Sequence, residues 1–241
     1  FASIDDNQIS FGTITDSSIQ DQINNTKAAG KIALISVGGQ NNTFNPTANT
    51  DFSKLGENIA KFLQDHNLDG VDLDLETIPA GVTSDQIALM VSSLRSKMPG
   101  VIITGAPQIG GGYGGPASLE PRSIWSQDFL NKVKFNALFI QEYNQFGGAK
   151  FDGKFDTDRG FITASFGPLK DFIPAETKII IGEPATSSAG SGLSNPNDIR
   201  ADLTNGPVLQ DERFGGLMTW DINYDSKNNW NWISNLNSLC N

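Results

Sequence analysis

Three carboxylates stand at alternate positions in the run Asp69-Gly70-Val71-Asp72-Leu73-Asp74-Leu75-Glu76. Read as a strand, Asp72, Asp74 and Glu76 share one face, and Val71, Leu73 and Leu75 share the other, because side chains alternate along a strand. A file of acids on a buried face needs pairing or shifted pKa values. On a solvated face it needs neither. A carboxyl kept protonated beside ionised neighbours can serve as a general acid, so the direction of this face decides between chemistry and plain surface. Asp69 and Gly70 at the start of the run read as structural, Asp as a turn former and Gly for backbone room.

Composition removes most other chemistries. The chain of 241 residues carries 17 basic and 27 acidic side chains, a net charge of −10 that disfavours nucleic acid or an anionic membrane as partner. No apolar run approaches the roughly 20 residues of a membrane span. The single cysteine, Cys240, cannot form an internal disulfide and is a poor nucleophile so near the end. The single histidine, His66, excludes a multi-histidine metal site; in Gln64-Asp65-His66-Asn67 it reads as a helix end, where a cation is favoured by the dipole. Gly110 to Gly115 is not followed by Lys-Ser/Thr, so it fails as a phosphate loop. No metal and no cofactor is expected, and chemistry falls to carboxylates, tyrosine, amides or the substrate. Sequons at Asn24-Asn25-Thr26 and Asn41-Asn42-Thr43 say little in a chain so rich in Asn.

The positioning elements follow from periodicity. Helices are predicted at 16–29, about 50–66, 84–97, 123–133, 161–172, 196–203 and 230–239, the fifth broken at Gly167-Pro168. Strands are predicted at 31–37, over the acidic run, and at 101–106, 137–143, 177–182 and 214–220, with a possible remnant at 1–4. Strand and helix alternate with polar, glycine-rich segments after the strands. That is the pattern of an α/β fold, a (β/α)8 TIM barrel, here read as one domain over 1–241. A barrel needs eight strands, so the first strand and helix are expected to lie upstream of Phe1. The other strands are apolar on both faces, so the sheet is covered on both sides. The leucine face then meets the helices, and the acid face points inward with Glu76 at the C-terminal mouth.

Asp69 to Glu76 resembles the DGxDxDxE signature of glycoside hydrolase family 18, the chitinases and related endo-N-acetylglucosaminidases. Ser36-Val37-Gly38-Gly39 resembles the family's SxGG, Gln141-Glu142-Tyr143-Asn144 the QxYN of one chitinase branch, and Met218-Thr219-Trp220 its last strand. The resemblance implies that Glu76 is the general acid and that Asp74 orients the substrate's acetamide. It implies that Asp72 holds Asp74, that Tyr143 hydrogen-bonds the acetamide oxygen, and that Gln141 and Asn144 touch substrate. Trp220 would floor the sugar, Ser36 would add a bond to the acids, and Tyr113 would line a subsite. Trp125, Trp230 and Trp232 read as packing.

An ordinary retaining glycosidase needs a second carboxylate about 5–5.5 Å from the acid, across the scissile bond. Asp74 and Glu76 lie on one strand, so Asp74 is poorly placed for that attack. The family's solution is attack by the substrate's own acetamido oxygen. The alternative, direct displacement by an activated water, needs a distant base, and Glu183 just past a strand end is the candidate. The resemblance further implies chitin or N-acetylglucosamine oligosaccharides as partner, a monomer, and an extracellular, secreted protein. Competing readings are an endo-β-N-acetylglucosaminidase acting on N-glycans or related polymers, and a chitin-binding lectin on the same barrel.

Overall fold

The computed structural model describes residues 1–12 and 16–239; the calls on Cys240 lie outside them. The chain divides into two compact units, 1–106 with 128–136, and 107–127 with 137–241.

The first unit opens with β1 (Ser3–Asp5) and β2 (Gln8–Ser10), followed by α1 (Asp16–Ala28), β3 (Leu34–Gly38) and β4 (Phe44–Asn45). Then come α2 (Phe52–Asp65), β5 (Gly70–Asp74), α3 (Ser84–Lys97) and β6 (Ile102–Gly105), and all but the first residue of α4 (Gln127–Val133). β3, β5 and β6 pair in parallel, with Ser36 opposite Asp72 and Asp72 opposite Thr104. The expected remnant at 1–4 forms β1, which pairs with β2 and β4; the Ala2 N–H also donates to Ser36 O at 2.8 Å. Leu55, Ile59 and Leu63 of α2 and Ile87, Met90, Val91 and Leu94 of α3 are buried, the apolar stripes of two amphipathic helices. Asp51 caps α2, and Thr83 with Gln86 forms a capping box on α3.

Asp69 fastens the start of β5. Its Oδ2 accepts the Ala33 N–H at 2.8 Å, and Lys27 donates to Oδ1. Burial pushes this carboxyl up, but the Lys27 and Ala33 bonds outweigh it and hold it below the usual range. His66 ends α2 as expected, with its ring against Phe11 and Phe62 and its Nδ1 3.1 Å from Gln20 Oε1.

The second unit starts with a hairpin, β7 (Gln108–Gly111) and β8 (Ala117–Glu120), where the sequence suggested a loop. It continues with β9 (Ala137–Gln141), α5 (Phe161–Phe172), β10 (Lys178–Pro184) and α6 (Pro196–Asn205). β11 (Phe214–Trp220), α7 (Ile222–Lys227) and α8 (Asn231–Leu236) complete it. β9, β10 and β11 are parallel, and β7 joins β9 at Gln108. The predicted helix at 123–133 shortens to α4, because Pro121 and the turns after it hold 121–126 out of a helix. The predicted final helix at 230–239 is α8 followed by a 3-10 turn at Asn237–Leu239, and α7 before it was not expected.

α5 runs through Pro168, contrary to the expected break. Phe161, Ile162, Phe166 and Leu169 are buried along it, and that packing outweighs the hydrogen bond the proline forfeits. Its N-terminus has no cap of its own, since Gly160 is left-handed with φ 87°. Asp202 of α6 supplies the cap instead, accepting from the Gly160 N–H and from the Ile162 N–H at 3.3 Å.

Candidate active site

In the first unit the acids stand on and just beyond β5. Asp72 is clamped from both neighbouring strands: Ser36 Oγ donates to Oδ2 at 2.8 Å and Thr104 Oγ1 to Oδ1 at 2.7 Å. Burial pushes the Asp72 carboxyl up, while the two hydroxyls pull it down; burial wins. Asp74 is buried at the strand end. The strand stops there, and Glu76 lies in the bend that follows, half-buried, its N–H donating to Asp74 O at 3.1 Å.

The two glycines after β3 explain their place in the motif. Gly38 has φ 106°, and a Cβ built on it would stand 2.1 Å from the Asp74 carbonyl oxygen. The Gly39 N–H donates to that same oxygen at 2.7 Å. The backbone of the SxGG turn is thus pressed onto the residue that carries the middle acid.

Thr104 was not singled out from the sequence. It looks like any β-branched residue in an apolar strand, and only the pairing register sets it beside Asp72.

The second unit carries Gln141, Tyr143, Asn144, Trp220 and Tyr113. Gln141 and Tyr143 are buried at and just past the end of β9. Asn144 has a left-handed backbone, φ 59°, and its Oδ1 accepts the Ser191 N–H at 2.8 Å. Gln145 Nε2 donates to Tyr143 O at 2.9 Å, and the Gln145 N–H donates to Asp156 Oδ2 at 2.8 Å. Trp220 ends β11 with part of its surface exposed, and Tyr113 is 61% exposed at the hairpin tip. Trp125 and Trp232 are buried, as packing residues should be, whereas Trp230 is 47% exposed beside α8.

Glu183 does not stand at a mouth. β10 runs to Pro184, so alternation puts Glu183 with the buried Ile179 and Ile181, on the side opposite Gly182. There it neighbours Glu142, whose Oε1 accepts from Ser165 Oγ of α5 at 2.8 Å. Both glutamates are fully buried. Burial pushes both carboxyls well above the usual range. Glu183 is pushed further by Glu142, Asp156 and Asp202, against the Leu193 N–H bond; Glu142 is opposed by Ser165 and pushed further by Asp202.

A carboxyl whose folded pKa exceeds its unfolded value binds more protons when folded. Its contribution to stability is full below the unfolded value, near pH 4.3 for Glu, and drains away as pH rises towards the folded one. The Glu142→Gln/Glu183→Gln variant should therefore melt several degrees above the wild type at pH 8 and close to it at pH 4. For a chain this long each kcal/mol moves the melting temperature by roughly 2–4 °C. An equal shift at both pH values, read by calorimetry, would contradict the protonated state of these groups.

Among the described residues no group of His, Cys, Asp and Glu is arranged to hold a metal ion, and no helix is long and apolar enough to cross a membrane.

Strand–helix alternation around parallel strands is the pattern of the (β/α)-barrel class, and comparison with solved structures agrees with that fold. The fold matches the solved family 18 chitinase of Chromobacterium violaceum with a TM-score of 0.79 at 20% identity, covering 100% of this chain and 74% of that one. Residues 1–114 match the profile of Glycosyl hydrolases family 18. Endochitinase 37 of Trichoderma harzianum is 29% identical over 87% of this chain and 67% of its own length. Endochitinase 4 of Metarhizium robertsii is 28% identical over 87% of this chain and 66% of its own. The chain thus spans about two thirds of these relatives. These matches support the resemblance to glycoside hydrolase family 18.

Proposed function

We propose that this protein is a chitinase that hydrolyses β-1,4 links of N-acetylglucosamine polymers with retention of configuration, and that it works outside the cell. The observation that carries the reading is the acid strand itself. Asp72 is fixed by two hydroxyls, Asp74 is buried two residues on, and Glu76 keeps exposed surface just past the strand end, where a substrate can reach it. Endochitinase relatives support the choice of polymer.

Glu76 would give its proton to the glycosidic oxygen as the C1–O bond breaks. The substrate's acetamido oxygen would attack C1 from the other face and form an oxazolinium ion. Asp74 would hold the acetamide N–H and offset the positive charge, with Asp72 fixing Asp74; Tyr143 would hydrogen-bond the acetamide oxygen. Water would then open the ring at C1, its proton passing to Glu76. Gln141 and Asn144 would bind the sugar, Trp220 would lie beneath it, and Tyr113 would extend the surface for a longer chain. The burial of Glu183 on the helix-facing side of β10 takes away the sequence's candidate for a second base, which favours attack by the substrate.

Release of fluorophore from a chitobiose or chitotriose glycoside tests the activity, with an N-glycan core substrate run in parallel. Cleavage of the glycan alone would assign the endo-β-N-acetylglucosaminidase reaction, and tight binding of both with no turnover a lectin. The mechanism predicts that freshly released product is the β-anomer, read by proton NMR before mutarotation. An initial excess of the α-anomer would mean inversion by an activated water and would defeat the oxazolinium route.

A further inference from the structure

In the second unit the segment 190–193 lies directly across Tyr143. A Cβ built on Gly192 would stand 2.8 Å from Tyr143 Cβ, 2.9 Å from Glu183 Oε2 and 3.0 Å from Pro184 Cδ. One built on Gly190 would stand 3.1 Å from Asn144 Oδ1 and 3.4 Å from Tyr143 Cδ2. At Gly192 only hydrogen fits without displacing a neighbour.

The segment is tied at two points. Asn144 and Ser191 exchange hydrogen bonds, the Asn144 N–H donating to Ser191 O and the Ser191 N–H to Asn144 Oδ1. Leu193 N–H donates to Glu183 Oε2 at 3.0 Å. Among the described residues Glu183 Oε1 has no hydrogen-bond partner, and the bond from Leu193 is the only one seen for this fully buried carboxyl. A buried carboxyl with one bond costs stability.

We propose that Gly190–Leu193 is a strap that positions Tyr143, with Glu183 as the positioning residue that anchors it from the opposite face of β10. The inference rests on the reading of Tyr143 as a hydrogen-bond donor to the substrate. A donor displaced by a fraction of an ångström loses much of its value to a transition state. The close packing of Gly190 and Gly192 against Tyr143 limits such displacement. Glu183 needs only an acceptor oxygen for this, which an amide also provides.

Seven variants decide the matter: Gly192→Ala, Glu183→Ala and Glu183→Gln, each made in the wild type and with Tyr143→Phe, plus Tyr143→Phe alone. Melting temperature, kcat and KM are read on a fluorogenic chitotrioside. Gly192→Ala and Glu183→Ala should each lower kcat about tenfold or more with KM changed less than about threefold. Glu183→Gln should keep kcat within about threefold, because its carbonyl still accepts from Leu193. With Tyr143→Phe in place, the same changes should cost little more, since the hydroxyl they position is gone.

Equal losses in both backgrounds would overturn the strap alone. Full activity of Tyr143→Phe by itself would overturn the role of Tyr143 and the strap with it. If Gly192→Ala does not fold, the Glu183→Ala and Glu183→Gln pair carries the comparison, and an equal loss in both of them overturns the proposal.

Discussion

Glu76→Gln should give a protein that binds chitin oligomers and does not cleave them. The amide keeps the size and the acceptor of the carboxyl but has no acidic proton for the leaving oxygen. General acids contribute about 10²–10⁴-fold to rate, so turnover should fall by at least that range on an unactivated chitin oligomer. Binding is spread over several sugar contacts and should change by no more than a few-fold, read by titration calorimetry. The half-buried place of Glu76 beyond β5 supports a folded variant, since no core side chain is lost. A substrate with a very good leaving group should recover part of the rate, because it needs less protonation. Turnover near wild type on the natural oligomer would remove Glu76 from the acid's role.

Gly70→Ala should be among the most destabilising single methyls in the chain. A Cβ there would stand 1.9 Å from the Ile102 carbonyl oxygen, inside a backbone-to-backbone contact that no rotamer can relieve. β5 and β6 pair at this residue, so the strands must part or the pairing must shift. Overpacking in a rigid setting costs roughly 1–3 kcal/mol, and a backbone clash lies at or above the upper end. A fall of about 10 °C in melting temperature is expected. Thr104 would move with β6, so the clamp on Asp72 would loosen and activity should fall in the fraction that stays folded. Gly100→Ala is the control, since nothing lies within 4 Å of its Cβ; it should be nearly neutral. Equal effects at the two positions would refute the close-approach account of Gly70.

What the sequence disclosed was local. A period of two is visible within eight residues, so Asp72 and Asp74 could be set on one face without knowledge of any partner strand. The same holds for the amphipathic helices α2 and α3. What it concealed depended on register or on element ends. Thr104 meets Asp72 only through the pairing of β5 with β6. Glu183 was misplaced because the strand was expected to end at Gly182. It runs two residues further, and strand alternation then turns the side chain to the helix side. Gln108–Gly111 was hidden by its glycines, which have poor strand propensity, although Ala117–Glu120 pairs with it along its whole length. Pro168 misled in the opposite way, since a local helix breaker was overruled by packing that only the folded chain supplies.

The trans cap on α5 bears on how this fold can be recombined. Gly160 offers the helix no side chain, and the acceptor that its first N–H groups require is Asp202, carried on α6. A chimera that takes residues 161–172 from a relative and keeps α6, or the reverse, joins a helix start to an acceptor shaped for a different one. Crossovers after β9 and before β11 exchange both helices together and keep that pairing intact. The natural unit of exchange in this half of the chain is therefore a two-helix cassette around β10.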